Sequence, residues 1–230
     1  ESLGMKADAV REAFRPIAEE YGMEWELVDS ARRRRVVIMA SHASHCIADL
    51  LHRWHSGELY CDIPCVISNH ENLRSMVEWH GIPFEHVQVD PNNKAPAHEK
   101  VQSLAAAYEA DCIVLARYMQ IIPPEFCRAY AGRMINIHHS FLPSFVGANP
   151  YQKAYDRGVK LIGATSHYVT EQLDEGPIIE QDVIRVSHRH SKDDLVRLGK
   201  DVEKSVLARA LRNHLEDRVL VHGNKTVVFD

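Results

Sequence analysis

The stretch CIVLARYMQIIPPEFCRAYAGRMINIH, residues 112–138, decides the fold class. It begins with the continuous apolar run Cys112 to Ala116 and ends with the run Met134 to His138. Between them, Pro123 and Pro124 precede a short segment of helical length. Two apolar strands joined by a helix-length connection predict a right-handed crossover between parallel neighbours.

The same alternation of apolar strands and amphipathic helices extends outward from this stretch. Before it, strands are predicted at 36–40, 63–68 and 84–89, separated by segments of helical periodicity. After it, the runs 161–170 and 178–186 predict a hairpin or a mixed-sheet extension, followed by a long closing helix and a terminal hairpin. The prediction is an α/β fold with a doubly wound, mainly parallel sheet covered by helices on both faces.

The first thirty residues differ from this pattern. Apolar residues recur at helical spacing from Ala9 to Tyr21, and Met23, Trp25 and Leu27 then alternate with glutamates as in a half-buried strand. One helix and one strand are too little to close a core. They either pack on the main domain or belong to a small α/β domain, and we predict a boundary between residues 1–31 and 32–230.

Composition excludes several classes of protein. The 230 residues carry 27 Lys and Arg against 32 Asp and Glu, a net charge of −5 that argues against a general nucleic-acid binder. No run of eighteen apolar residues and no charged-then-apolar leader occurs, so neither a membrane span nor a signal peptide is predicted. The expected location is the cytoplasm.

Cysteines and histidines form no clear disulfide or metal pattern. The five cysteines are an odd set without a CxxC pair, which predicts buried, reduced thiols. Among the fifteen histidines, three pairs have metal-like spacing but lack Cys or carboxylate partners at ligand spacing. These pairs are His42 with His45, His52 with His55, and His188 with His190. We expect no metal site.

The end of the strand at 134–138 carries the first candidate site residues. Ligands of open parallel sheets bind beyond the carboxyl ends of the strands. Asn136 and His138 are two residues apart and therefore project from the same face, whereas His139 is expected on the other face. An amide can donate to an oxyanion and an imidazole can move a proton. The alternative is two satisfied polar residues at a strand terminus.

A carboxylate that could complete this pair lies in the loop between the two late strands. Asp174 is flanked by Leu173 and by Glu175-Gly176 in a loop that can fold over the sheet end, although a solvated loop carboxylate is the default interpretation. No G-x-S-x-G nucleophile motif is present, and the segment Ser41 to His45 has no glycine to cradle a phosphate. The residues alone therefore predict an α/β enzyme with polar chemistry near Asn136 and His138.

Several ordered motifs resemble the folate-dependent formyltransferases, and most closely their hydrolytic, deformylating branch. The motifs are Asn136 to Phe145, Gly163-Ala164-Thr165 and Leu173 to Ile179, and the resemblance extends from about residue 7 to residue 229. It implies hydrolysis of 10-formyltetrahydrofolate to formate and tetrahydrofolate by Asn136, His138 and Asp174, without a metal or cofactor. Which of His138 and Asp174 is the base stays open.

The resemblance also implies the remaining binding residues and partners. The folate pterin is expected against Tyr118, Met119, Gln120, Ile121 and Ile122 and against Val169, Thr170 and Glu171. Residues 1–31 resemble the second half of an ACT-type regulatory domain, which implies an amino-acid effector. A homo-oligomer, either a dimer or a tetramer, is a family expectation. The implied role is to balance folate pools and to supply formate for purine synthesis.

The alternative function is formyl transfer to an amine such as glycinamide ribonucleotide. Transferases of that kind carry a glycine-rich loop for the substrate phosphate after the first strand, and here the loop from Ser41 to His45 has no glycine. His42 stands where many deformylases carry Lys. Transferases that act on methionyl-tRNA add a basic carboxy-terminal domain, which this chain does not show before its last residue.

Overall fold

The computed structural model describes residues 6–29, 31–143 and 150–229. These residues fall into two compact units, and the boundary along the chain lies between Arg33 and Arg34. The chain therefore divides two residues after the boundary predicted at 31/32. Whether the first unit is ACT-like stays a prediction.

The described residues of the first unit contain one helix, α1 (Ala7–Glu20), and a segment without regular secondary structure over residues 23–29. Phe14 packs edge-on against Trp25 with ring centroids 5.0 Å apart, and Arg11 donates a 2.8 Å hydrogen bond to the Leu27 carbonyl. The strand predicted over Met23 to Leu27 is wrong, because no described residue of this unit offers it a ladder of backbone hydrogen bonds.

The second unit contains the sheet. Its strands are β1 (Arg34–Ala40), β2 (Cys61–Asp62), β3 (Val66–Ser68), β4 (Phe84–His86), β5 (Cys112–Ala116), β6 (Met134–His138), β7 (Leu161–Tyr168), β8 (Ile178–Arg185), β9 (Val219–His222) and β10 (Lys225–Val228). Its helices are α2 (His45–His55), α3 (Arg74–Trp79), α4 (Ala95–Ala107), α5 (Pro124–Ala129), α6 (Pro150–Arg157) and α7 (Lys192–Leu215). A short 3-10 turn spans Glu71–Leu73.

The main sheet is mixed and mostly parallel. Its strand order is β4-β3-β1-β5-β6-β7-β8, with β2 paired to the start of β1. Strands β4 to β6 in this order are parallel, whereas β7 is antiparallel to both β6 and β8. The mainly parallel α/β prediction and the mixed-sheet extension are confirmed. The terminal hairpin β9–β10, which turns at Gly223, is confirmed too.

Helices cover both faces of this sheet. In β1, Val36, Ile38 and Ala40 belong to one buried cluster with apolar residues of α2 and α7. Val37 and Met39 belong to a second cluster with residues of α4 and α5. Each fully buried aliphatic side chain contributes about 1.5–3 kcal/mol to stability. The continuous apolar run in β1 therefore follows from burial of both of its faces.

Two smaller predictions can be scored on the described residues. The strand predicted at 63–68 begins too early, because only Val66–Ser68 (β3) forms a strand there and Pro64 has no N–H to donate to a ladder. All five cysteines are buried and unpaired with one another, as predicted. Within the described ranges, no helix has the length and apolar character needed to cross a membrane.

Candidate active site

The three predicted catalytic residues meet at the carboxyl end of β6. Asn136 and His138 project from the same side of that strand into a cavity, and the loop between β7 and β8 brings Asp174 to the same cavity. The His138 Nδ1 lies 3.3 Å from Asp174 Oδ2. Residues from a strand and from a distant loop therefore form one polar cluster.

The contacts of His138 assign a different task to each of its ring nitrogens. The ring is buried, and its Nδ1–H donates a hydrogen bond to the Asp174 carboxylate. The Nε2 atom is also buried, yet it has no hydrogen-bond partner among the described residues. A buried imidazole nitrogen beside a cavity, held in one tautomer by a carboxylate, is available to exchange a proton with a bound molecule.

Asp174 is held as a carboxylate. Burial alone would raise the pKa of its carboxyl group, but hydrogen bonds and charge from His138 and His167 outweigh burial and hold that pKa well below its usual range. The residue has a φ of 58°, in the left-handed region that a non-glycine residue adopts at a cost of about 1 kcal/mol. This local strain aims the carboxylate at both histidines.

Gly176 fixes the return of the Asp174 loop to the sheet. A Cβ atom at this position would lie 1.8 Å from the Tyr168 carbonyl oxygen. The two backbone segments are also joined by a hydrogen bond of 2.9 Å, which the Tyr168 N–H donates to the Pro177 carbonyl. Only glycine allows the two backbones to come so close. The position of Asp174 therefore depends on a glycine two residues further along the chain.

His167 belongs to this cluster, although the sequence analysis did not single it out. Its Nδ1 donates to the Tyr168 carbonyl at 2.9 Å, and its Nε2 lies 3.2 Å from the Asn136 amide nitrogen and 3.7 Å from Asp174 Oδ1. The neutral ring accepts a hydrogen bond from Asn136, whereas the protonated ring can donate towards Asp174. Antiparallel pairing of β6 with β7 sets His167 opposite Asn136. Only that register would have revealed the residue.

A cavity of about 310 Å³ adjoins the polar cluster. All eight residues predicted to bind the substrate line it, namely Tyr118, Met119, Gln120, Ile121, Ile122, Val169, Thr170 and Glu171. One wall is fixed by the Met119 N–H, which donates a 3.0 Å hydrogen bond to Ser41 Oγ. Near the rim, Met119, Ile121 and Leu173 are exposed apolar side chains. A polar floor with apolar walls suits a flat heteroaromatic ligand.

His139 and Arg117 lie beside the polar cluster of His138 and Asp174. His139, expected on the opposite face, follows the last residue of β6, and its ring stacks on that of His138 with centroids 5.2 Å apart. It also contacts Arg117, which forms an ion pair with Glu203 of α7. The strict alternation of a strand does not extend past its last residue, which explains the difference.

Among the described residues, one group of three has metal-ligand spacing. His45, Cys46 and Glu203 offer ligand atoms within 4.8 Å of one another. Glu203 already binds His45 at 2.7 Å and Tyr151 at 2.5 Å, and the Arg117 guanidinium lies 3.4 Å from it. A fixed cation at that distance opposes a metal ion, so the donor set fits an ion-pair cluster better.

Comparison with known proteins identifies the class to which this fold and site belong. The family model described as formyl transferase matches residues 34–211, most of the second unit. The formyltetrahydrofolate deformylase of Bacillus subtilis is 52% identical over 225 residues, which cover 98% of this chain and 75% of that protein. The chain belongs to the formyltetrahydrofolate deformylase family, a family of hydrolases.

Solved structures agree with this assignment. The crystal structure of a formyltetrahydrofolate deformylase from Pseudomonas syringae is 69% identical, with a TM-score of 0.97 over 99% of this chain and 76% of that one. Glycinamide ribonucleotide transformylase 1 from Symbiobacterium toebii is 26% identical, with a TM-score of 0.81 over 91% of this chain and 99% of that one. Deformylating and transferring enzymes thus share this fold.

Proposed function

We propose that this chain hydrolyses 10-formyltetrahydrofolate to formate and tetrahydrofolate, with Asn136, His138 and Asp174 as its catalytic residues. The observation that carries the proposal is that His138 lines the cavity with its Nδ1 held by a carboxylate, while its buried Nε2 has no hydrogen-bond partner among the described residues. Such a nitrogen is suited to general base catalysis, which typically accelerates a reaction by about 10²–10⁴-fold.

The first step is attack of a water molecule on the formyl carbon. The His138 Nε2 takes the proton that the water loses, and the Asp174 carboxylate stabilises the imidazolium through Nδ1. Asp174 is a poor base because its own pKa is held low by the two histidines. We therefore assign the base to His138 and the supporting charge to Asp174.

Asn136 stabilises the oxyanion that this attack creates. Its amide nitrogen has two N–H groups, and one of them is engaged by His167 Nε2 at 3.2 Å. The second N–H is then free to donate to the oxyanion in the cavity. As the C–N bond breaks, His138 returns its proton to the departing folate nitrogen, so tetrahydrofolate and formic acid are released, and the acid loses its remaining proton to solvent as formate. These steps use only protein side chains and water.

The eight cavity residues are proposed to bind the substrate. The apolar walls formed by Tyr118, Ile122 and Val169 would sandwich the pterin ring, and backbone groups between Tyr118 and Ile122 would bond its polar edge. The exposed Met119 and Ile121 at the rim would contact the rest of the folate. Apolar walls of this kind exclude bulk water from the reacting bond.

The deciding experiment is an assay of formate release by the purified protein in the presence of a chelator. With 10-formyltetrahydrofolate and no amine acceptor, we expect stoichiometric formate and tetrahydrofolate. A second assay adds glycinamide ribonucleotide, and we expect no formylated ribonucleotide. Transfer to the ribonucleotide without formate release in its absence would assign the chain to the transferases instead.

The biological setting is also a proposal. We propose a cytoplasmic enzyme that balances folate pools and supplies formate for purine synthesis, in line with five buried cysteines that form no disulfide with one another. We propose further that it assembles as a dimer or tetramer. Light scattering of the purified protein tests the assembly, and a single-chain mass would contradict it.

We propose that residues 1–31 belong to an ACT-like domain that takes an amino-acid effector. Helix α1 supplies one helix of such a domain, and residues 23–29, which have no regular secondary structure, follow it. The match to the Bacillus subtilis relative covers 75% of that protein, so the relative contains further sequence. A panel of amino acids in a thermal-shift assay tests the proposal, and no shift with any of them would contradict it.

A further inference from the structure

A group of charged and polar side chains beside the catalytic residues has no part in the steps proposed above. We call it the Glu203 cluster, and it consists of His45, Arg117, His139, Tyr151 and Glu203. Its residues come from the start of α2, the end of β5, the end of β6, α6 and α7. Five separate elements thus converge on one carboxylate next to the site.

Glu203 is the centre of this cluster. Its side chain is only 1% exposed, and its two oxygens bind His45 Nε2 at 2.7 Å and the Tyr151 hydroxyl at 2.5 Å. The Arg117 Nε lies 3.4 Å from the same carboxylate. Burial would raise the pKa of Glu203, but the hydrogen bond from His45 and the charge of Arg117 outweigh it and lower that pKa. Arg117 and Glu203 therefore form a charge-balanced buried pair.

Two features of the backbone, at Arg117 and at Gly199, allow the polar groups of the cluster to reach Glu203. Arg117 has a φ of 62° directly after β5, a left-handed conformation that is strained for a non-glycine residue. On α7, a Cβ atom at Gly199 would lie 2.1 Å from the Tyr151 hydroxyl, so the absence of a side chain there makes room for the tyrosine. Both features place a polar group against Glu203.

The contact between Arg117 and His139 determines the state of the histidine. Arg117 Nη1 meets His139 Nδ1, and a guanidinium group can only donate hydrogen bonds. The His139 Nδ1 must therefore be an unprotonated acceptor, which leaves a neutral ring. The pKa of His139 agrees, because burial and then Arg117 lower it to about 4, with a smaller lowering by His138 and opposing charges on Glu203 and Asp174.

His139 in turn contacts the reacting histidine. The two rings are stacked with centroids 5.2 Å apart and an angle of 26° between their planes. His138 takes up a proton in the proposed reaction, and a positive charge on the adjacent ring would oppose that step. A neutral His139 supports the His138 ring without opposing its charge.

We propose that Arg117, balanced by Glu203, is a positioning residue that keeps His139 unprotonated and stacked on His138 while His138 takes the proton of the attacking water. The proposal rests on the proposed function, since it assigns the proton to His138. Arg117 acts through His139, so its effect is on the pH range of catalysis.

The test introduces R117M into the wild-type protein and into H139N and measures formate release as a function of pH in each. A rise in the pKa of His139 of about 1.5 units would reduce its neutral fraction at pH 5 about fourfold, so kcat of R117M at pH 5 falls about fourfold more than kcat at pH 8. In H139N, adding R117M leaves the shape of the profile unchanged. R197M, which removes an exposed arginine of α7, is the matched control and keeps the wild-type profile. R117K retains a positively charged hydrogen-bond donor, so its kcat at pH 5 is expected to lie between those of R117M and the wild type.

A measurement without turnover separates this proposal from the proposed function. NMR titration of the histidine ring resonances in the free protein should show His139 neutral down to about pH 5 in the wild type and protonating at higher pH in R117M. A His139 that titrates identically in both proteins overturns the proposal. So does a R117M effect on the pH-rate profile that persists in H139N. Absence of formate release by the wild type would overturn the proposed function, and with it the role of His139 in catalysis.

Discussion

At the scale of single residues, three histidines of the site have different roles because each has a different fixed partner. His138 Nδ1 faces Asp174, His139 Nδ1 faces Arg117 and His167 Nδ1 faces the Tyr168 carbonyl. A carboxylate, a cation and a carbonyl impose three different proton arrangements on the same ring. Of these three rings, only that of His138 has a buried Nε2 without a hydrogen-bond partner among the described residues. Chemistry is thus assigned by neighbours rather than by residue type.

Asp174→Asn tests the supporting charge directly. The amide keeps the size of the side chain but cannot stabilise the His138 imidazolium, so we expect kcat to fall about 100-fold with KM nearly unchanged. Formate release and folate binding by fluorescence titration measure the two effects. E175Q, which changes the adjacent exposed carboxylate of the same loop, is the control. Equal rates for the wild type and D174N would remove Asp174 from the mechanism.

His167→Phe tests the positioning of Asn136. The substitution removes the Nε2 acceptor at 3.2 Å, and a lost hydrogen bond of about 1 kcal/mol corresponds to about a fivefold fall in kcat. Y168F is the matched control, because the Tyr168 hydroxyl contacts His214 away from the site and the backbone carbonyl is retained. Steady-state kinetics of both variants make the comparison, and a fall of similar size in Y168F would indicate a general defect of β7.

Sequence reasoning located residues that depend on local order and missed one that depends on pairing. Asn136 and His138 follow from the two-residue period of a strand, and the structure places them together as that period requires. His167 reaches the site only through the register that sets it opposite Asn136. Register is fixed by the packing of the whole sheet, which no local pattern in β7 contains.

At the scale of elements, the loop between β7 and β8 is the part of the site that is most sensitive to backbone changes. Gly176→Ala would force the loop away from the Tyr168 carbonyl, so we expect Asp174 to move and kcat to fall at least tenfold. G57A is the control, because Gly57 lies in the turn after α2 with open space around its Cβ position, so its φ of 83° strains an alanine there without a steric clash. Kinetics and thermal melts of both variants check this, and equal losses of activity would contradict it.

The predicted strand bounds are correct where burial of both faces of a strand determines its sequence. Strands β5 and β6 have the predicted bounds, because continuous apolar runs in a parallel sheet leave little choice of structure. The strand predicted over Met23 to Leu27 failed, since alternation of side chains does not supply a hydrogen-bonding partner. The strand predicted at 63–68 begins only at Val66, because Pro64 cannot donate a ladder hydrogen bond although its neighbours are apolar.

At the scale of the whole molecule, buried neutral histidines make stability depend on pH. Burial, followed by the charges of Arg34 and Arg133, lowers the pKa of His214 to about 4, and the pKa of His139 is also about 4. In the unfolded chain both rings titrate near 6.5. The unfolded state therefore binds more protons between these values, so the free energy of unfolding decreases as the pH falls from about 6.5 to about 4.

His214→Gln should reduce this acid destabilisation. Each ring whose pKa lies about 2.5 units below its unfolded value lowers the free energy of unfolding by up to about 3 kcal/mol at pH 4. The variant lacks the contribution of one such ring. Urea unfolding at pH 7.5 and pH 5 measures the difference between the two conditions. H188Q, which replaces an exposed histidine, should behave like the wild type. An unchanged pH dependence in H214Q would contradict the assignment.

Strand β6 carries two incompatible sets of side chains at alternate positions. Asn136 and His138 contact His167 and Asp174 in the polar cluster, whereas Ile135 and Ile137 belong to the apolar cluster with residues of α2 and α7. Insertion of one residue before Asn136 would turn that amide into the apolar interior and present Ile137 to the folate. The enzyme would then retain every catalytic residue in its sequence and still be inactive, so length variation is far more damaging here than substitution at any neighbouring position.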